Sequence, residues 1–283
     1  MKDANRKPKM TTADWVKFGM LILLTLLFLS PIALIVMNSF KGRLFIIDRP
    51  FAFPDSDSFA GIQNYVNGVE QTKFFRAFGY SLFITVASVA VLLLCTSMCA
   101  WFIVRVKTWY TKAFYLLCAF SMIVPFQMVM FPMVKIANML SLDNPVGIVV
   151  IYLGFGAGLS VFMFAGFIKS VPFEIEEAAM IDGCDAMRTY FLIVLPILKP
   201  SAITVAILNA MWIWNDYLLP KLLLPSEYYT VPIKLQLLVG SRGMVDQGAM
   251  MAVIILAIIP IIVFYLCCQK YIIKSVVAGA VKG

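Results

Sequence analysis

Five stretches of this chain carry no charged residue: 18–40, 77–104, 113–134, 144–168 and 247–269. Each exceeds the roughly 20 apolar residues that cross a ~30 Å hydrocarbon layer as an α-helix rising 1.5 Å per residue. A sixth stretch, 200–215, is shorter and continues into Asp216-Tyr217-Leu218-Leu219. Continuous apolar runs of this length exclude a β-barrel, whose strands alternate over about 10 residues. The expected fold is therefore all-α and polytopic, with six membrane-spanning helices. Charged residues make up 13% of the chain. That is about half the ~25% of a soluble domain, so disorder is ruled out and a water-soluble globule is disfavoured.

Six spans put both termini on one side. Segments 1–17, 105–112, 169–199 and 270–283 then lie together and hold the larger share of the 23 Lys and Arg. Segments 38–76, 135–143 and 216–247 face the other way. The positive-inside rule makes the first side cytoplasmic, with Lys2, Arg6, Lys7, Lys9 and Lys17 ahead of the first helix as the strongest signal. These basic residues are spread over short loops, with no cluster dense enough to follow a nucleic-acid backbone. The apolar run 18–37 is longer than the 7–15 residues typical of a signal-peptide core and no A-x-A site follows, so the first helix is expected to be retained. The expected organisation is a cytoplasmic segment 1–17, a transmembrane domain 18–269 and a cytoplasmic tail 270–283.

The chain has no histidine, which removes Ser-His-Asp triads, Cys-His pairs and imidazole-held metals. Cys95, Cys99, Cys118, Cys184, Cys267 and Cys268 form no C-x-x-C pair and read as small packing residues. No metal or cofactor site is expected. An intramembrane enzyme would need acid–base groups within the spans, and only the cytoplasmic Glu176-Glu177 pair comes close. A self-sufficient secondary transporter usually shows inverted repeats and buried ionisable groups. Here no repeat is found, and Asp216 is the one such group.

Between the fourth and fifth apolar stretches lies Val171-Pro172-Phe173-Glu174-Ile175-Glu176-Glu177-Ala178-Ala179-Met180-Ile181-Asp182-Gly183. Pro172 suits a first helical turn, and the three glutamates favour the positive end of a helix dipole. Gly183 suits the residue after the helix, where φ is positive. Asp185 can cap a second helix running to Leu195, ahead of Pro196. On the first helix Ile175, Ala178, Ala179 and Asp182 recur at i, i+3, i+4 and i+7 and are expected on one side. The two alanines make that side shallow enough for close approach by another protein, and a solvated surface loop is the plainer alternative.

Glu177-Ala178-Ala179, then Gly183, then Ile193-x-Leu195-Pro196 resembles the EAA motif of ABC-importer permeases. The wider run 173–183, Trp214-Asn215-Asp216-Tyr217 and Thr230-Val231-Pro232 are similar to the carbohydrate-uptake branch. The tail Ala278-Gly279-Ala280-Val281-Lys282-Gly283 is similar to that of the maltose-permease G-subunit type. The resemblance implies an ABC type I importer permease fold in a bacterial inner membrane. It implies that 170–196 is a coupling loop, with Glu177, Ala178, Ala179, Asp182, Gly183, Ile193, Leu195 and Pro196 acting toward an ATPase. It places Gly279, Lys282 and Gly283 at the ATPase interface. The implied partners are a second permease, two copies of a cytoplasmic ATPase that binds the ATP, and an extracytoplasmic sugar-binding protein. The chain itself has no G-x-x-x-x-G-K-[ST] loop for nucleotide.

Candidates for the translocation path are Asn209, Trp214, Asn215 and Asp216. Asn209 lies about 15 Å into its helix at 1.5 Å per residue. At that depth a polar side chain faces the bundle interior, for an interhelical hydrogen bond or for substrate. Asp216 would be costly at a helix centre, by about 2.5–3.5 kcal/mol, so it is expected at the outer interface or in a wet cavity. A carboxylate beside aromatic rings suits sugars, while tryptophans at this level also serve as interfacial anchors. Gly154 and Gly158 form a G-x-x-x-G pair for close helix packing. Pro125 and Pro132 are expected to kink the third span.

Overall fold

A computed structural model describes residues 11–240 and 246–280 of the chain. Among them there is no strand, only an isolated antiparallel bridge between Lys41 and Phe59. The helices are α1 (Thr12–Ser39), α2 (Arg43–Asp48), α3 (Gln63–Thr72), α4 (Phe74–Arg105) and α5 (Trp109–Ser121). They continue with α6 (Phe126–Met139), α7 (Gly147–Ile168), α8 (Glu174–Ile181), α9 (Ala186–Thr189) and α10 (Leu195–Ile197). The series closes with α11 (Lys199–Asn215), α12 (Leu218–Leu223), α13 (Val231–Gly240) and α14 (Gln247–Ala280). Four helices, α1, α4, α7 and the first part of α14, are each long and apolar enough to cross a membrane. Two bent pairs bring the spans to six when each pair is one span.

The third span is broken rather than kinked. α5 and α6 meet at 109°. The bend falls at the middle of the uncharged stretch 113–134, where Pro125 is the N-cap of α6. Proline has no N–H to continue the ladder of α5, but its fixed φ starts a new helix readily. Pro132, by contrast, sits inside α6 without ending it.

The fifth span departs from expectation at Pro196, which does not stop its helix. The turn Tyr190–Val194 widens to a π-helix and runs on through α10. Widening the turn relieves the clash that proline makes with the carbonyl four residues earlier. The chain bends only afterwards, by 75° between Ala186–Ile197 and α11.

The chain divides into two compact units. In the unit Thr72–Leu237 with Ala257–Gly283, α4, α7 and α11 each contribute to both of two apolar cores. One gathers Tyr152, Ile148, Leu92 and Ile213, the other Phe164, Ile168, Tyr190 and Leu198. Close approach to α7 depends on glycine. A Cβ at Gly158 would lie 2.5 Å from Ser121 Oγ and 2.7 Å from the Cys118 carbonyl oxygen on α5. A Cβ at Gly156 would meet Leu92 on α4 and Asn209 on α11. Gly154 faces open space, so the close contacts come from Gly156 and Gly158 rather than from the expected Gly154–Gly158 pair.

The unit Met1–Gln71 with Leu238–Leu256 begins with α1, opened by a reciprocal cap in which Thr11 and Asp14 bond each other's backbone N–H. Beyond α1 the chain folds back on itself. The amide of buried Asn64 donates to the Ser39 and Lys41 carbonyls, both at 2.8 Å. The Lys41 ammonium donates to the Arg49 carbonyl at 2.9 Å. Burial pushes that lysine below its ordinary pKa, and nearby Asp55 partly offsets this.

Candidate functional site

The loop between α7 and α11 is built from well-formed helix ends. α8 opens with Glu174, Glu176 and Glu177 in its first turn, where the macrodipole favours them. It closes in a Schellman motif: Gly183 N–H donates to the Met180 carbonyl and Cys184 N–H to the Ala179 carbonyl, both at 3.0 Å. Gly183 has φ of +87°, as that motif requires. Asp185 then caps α9, accepting from Arg188 N–H at 2.7 Å.

The inner face of α8 is not the one that the apolar spacing picked out. Glu176 and Ala179, one turn apart, are buried, whereas Ile175, Glu177, Ala178, Asp182 and Gly183 are exposed. Ala179 therefore packs inward and leaves the surface stripe to Ile175, Ala178 and Asp182, flanked by Phe173 and Ile181. In the second half of the loop Ile193 and Leu195 are half-buried and Pro196 is exposed.

What turns α8 this way is Glu176. Its Oε1 accepts from Arg105 Nε (3.0 Å) and Nη2 (2.7 Å), and its Oε2 accepts from the Trp101 indole N–H at 2.9 Å. The Arg105 guanidinium also donates to the Val171 carbonyl at 3.1 Å and lies over the Phe173 ring. A carboxylate with 1% exposure is tolerable only when its charge is matched and both oxygens are bonded, and here both conditions hold. Sequence reasoning placed Glu176 at the helix dipole and weighed it with Glu177 as an acid–base pair, and did not select Arg105 or Trp101. The available signal was a stripe of polar-tipped side chains, Ser97, Trp101 and Arg105, at i, i+4 and i+8, ending in the one charged residue of the second half of the helix.

The four path candidates separate. Asn209 is buried and its amide donates to Ser160 Oγ on α7 (3.1 Å) and to the Val205 carbonyl (2.9 Å). Trp214 is buried edge-on against Phe78, on the wall of an open apolar cavity of about 350 Å³ between α4, α11 and α14. Thr85 also lines that cavity, and its hydroxyl has no hydrogen-bond partner. Asn215 is exposed and bonds back to the Met211 carbonyl. Asp216 is half-buried at the end of α11: Oδ2 accepts from the buried Tyr152 hydroxyl at 3.0 Å, while Oδ1 accepts from the Leu218 and Leu219 N–H groups at the start of α12. Tyr152 in turn stacks edge-on with Trp212. Gly279 lies in α14, and Lys282 and Gly283 lie outside the described residues. Among the described residues no group of His, Cys, Asp or Glu could hold a metal.

Comparison with known proteins follows this architecture along most of the chain. The probable starch degradation products transport system permease protein AmyC of Thermoanaerobacterium thermosulfurigenes is 37% identical over 262 residues, covering 92% of this chain and 94% of that protein. The multiple sugar-binding transport system permease protein MsmG of Streptococcus mutans is 37% identical over 276 residues, covering 94% and 96%. A crystal structure of a bacterial ABC transporter that imports the acidic polysaccharide alginate contains a chain with the same fold. It superposes with a TM-score of 0.80 at 22% identity, over 94% of this chain and 99% of that one. Residues 93–277, from the second half of α4 through the loop between α7 and α11 to α14, match the family described as binding-protein-dependent transport system inner membrane component, and the chain belongs to that family.

Proposed function

We propose that the chain is one of two related permease subunits of an ATP-driven sugar importer, and that the exposed side of α8 is where a cytoplasmic ATPase docks. One observation carries this reading: α8 is held by its buried side while Ile175, Ala178, Ile181 and Asp182 stay exposed away from it. A helix that exposes apolar side chains and is fixed from behind suits a groove on a partner protein. The EAA resemblance supports Glu177, Ala178 and Gly183 as contacts or shaping residues there, with Ala179 acting from the inner side. Ile193, Leu195 and Pro196 then shape the return to α11, and Gly279, Lys282 and Gly283 extend the interface. Both termini would lie in the cytoplasm.

The names of AmyC and MsmG support a sugar as cargo, delivered by an extracytoplasmic binding protein. A second structure of an alginate transporter is described in complex with a periplasmic protein bound to an alginate pentasaccharide, which supports such a delivery partner. The chain has no nucleotide loop of its own, so two ATPase copies would supply the energy. On the outer side Asp216 and Asn215 are the polar groups best placed to meet a hydroxylated cargo, and Asn209 and Trp214 serve packing.

The test is a mild-detergent pull-down of the tagged chain from its native membrane. Recovery of an ATPase and a second permease is expected, and the co-purified binding protein should take up malto-oligosaccharides or raffinose in a thermal-shift screen. Recovery of the chain alone, in detergent and again in lipid discs, would overturn the proposal.

A further inference from the structure

Both halves of the loop between α7 and α11 are fastened to one stripe of α4. Ser97, Trp101 and Arg105 are spaced i, i+4 and i+8, so they stand in line along that helix. Arg105 and Trp101 hold Glu176 of α8 through three hydrogen bonds. Ser97 shares a 2.6 Å hydrogen bond with the hydroxyl of Tyr190 in the π-helical turn, and the Trp101 and Tyr190 rings lie 5.6 Å apart. Tyr190 is fully buried, as is Glu176. α4 is about 48 Å long at 1.5 Å per residue, which exceeds the ~30 Å hydrocarbon layer, so its last turns project to the level of the loop.

We infer that α4 is the lever of the transporter: the loop and the end of α4 move as one body, and Glu176 is the positioning residue that locks them together. The inference rests on the docking role proposed above for α8. Two features favour a lock over ordinary surface packing. The carboxylate is out of water with a guanidinium and an indole on it, an arrangement whose members are coupled, so that removing one weakens the hold of the others. The two attachment points lie on opposite sides of the Gly183 turn, so the loop cannot swing about that turn without breaking one of them. Displacement of α8 by a docked ATPase would therefore pass directly into the span built on α4, and not only through the connecting segments.

The experiment uses the assembled complex purified with its ATPase. A genetically encoded fluorescent amino acid is placed at Gly79 on α4, where a side chain meets nothing within 4 Å, and its emission is read with and without ATP plus vanadate. In the otherwise unaltered complex, nucleotide should shift the emission. In Glu176→Gln the shift should shrink on the order of tenfold, as expected when a two-state bias is uncoupled, while the ATPase still co-purifies and hydrolyses ATP. Trp101→Phe keeps the ring and removes the indole donor, and should give an intermediate loss, which guards against simple misassembly of the first variant. An unchanged shift in Glu176→Gln, or no shift in an unaltered complex that hydrolyses ATP, would overturn the lever. Failure of the unaltered chain to bring down any ATPase would instead overturn the docking role on which the lever depends.

Discussion

Gly154 and Gly158 stand one turn apart on α7, yet alanine should act in opposite directions at the two. At Gly158 the new methyl would lie 2.5 Å from Ser121 Oγ, 2.7 Å from the Cys118 carbonyl oxygen and 3.0 Å from Met122 Cγ. The first group is a short side chain and the second is backbone, so relief requires moving α5 itself. Overpacking of this kind costs about 1–3 kcal/mol, with a backbone clash toward the upper end. Alanine recovers up to about 1 kcal/mol of helix propensity, leaving a net loss of about 1–2 kcal/mol. At Gly154 nothing lies within 4 Å, so only the propensity gain of up to about 1 kcal/mol remains. For a chain of this size each kcal/mol moves the midpoint by about 2–4 °C. Thermal unfolding of the purified chain in mild detergent should show Gly158→Ala lower by about 2–8 °C and Gly154→Ala unchanged or slightly higher, by the same conversion. Equal destabilisation by both would mean that the G-x-x-x-G pair acts as a unit and that the α5–α7 contact is not where α7 needs its glycine.

Asn209→Leu removes the bonds to Ser160 and Val205 and should lower stability by about 0.5–2 kcal/mol, the range for polar contacts between membrane helices. Sugar preference in reconstituted uptake should be unchanged, and an altered preference would put Asn209 on the path. Gly183→Asp forces a side chain into φ of +87° at about 1–2 kcal/mol, so uptake should fall sharply while membrane insertion persists. Gly183→Asn, which tolerates that conformation better, should keep more activity in the same assay, and identical loss in both would argue against a backbone cause. In the loop 51–59 the Ser58 hydroxyl, then its N–H, hold the Asp55 carboxyl below its ordinary value of 3.8. A depressed carboxylate stabilises the loop above that ordinary value and stops doing so as pH falls through the folded one. Pepsin nicking of this loop should therefore rise as pH drops below about 4, and Asp55→Asn should be nicked readily at every pH tested.

The spans were legible because an uncharged run longer than a bilayer needs no tertiary information to interpret. The expectation of a transport component rather than an enzyme agrees with the family, and the absence of histidine had already pointed that way. Gly183 and Asp185 were equally readable, since caps are set by residues within one turn of each other. The orientation of α8 was not. Periodicity says which residues share a face, but it cannot say which face is buried. Here the choice is made by Arg105, 71 residues away in the chain from Glu176. Ala179 was assigned to the outer stripe for that reason. The same limit applies to α7: a G-x-x-x-G spacing marks two glycines, and only the position of α5 shows that Gly158 has the neighbour. Pro125 and Pro132 signalled a kink in the third span, but a break of 109° at Pro125 is a property of what packs on either side.

That break bears on how the chain enters the membrane during synthesis. α5 and α6 have 13 and 14 residues, about 20 Å each at 1.5 Å per residue, well short of the bilayer core. Neither half can partition into lipid as a finished segment, and the elbow at 122–125 carries backbone groups that hydrocarbon cannot solvate. The segment that packs beside the end of α5 is α7, drawn close at Gly158 to Cys118, Ser121 and Met122, and it leaves the ribosome later. A nascent chain at this stage holds an unfinished span that needs either the insertion machinery as a temporary host or the arrival of α7. Biogenesis of the third and fourth spans is thereby one event, and a ribosome stalled between them would leave a product suited to membrane quality control.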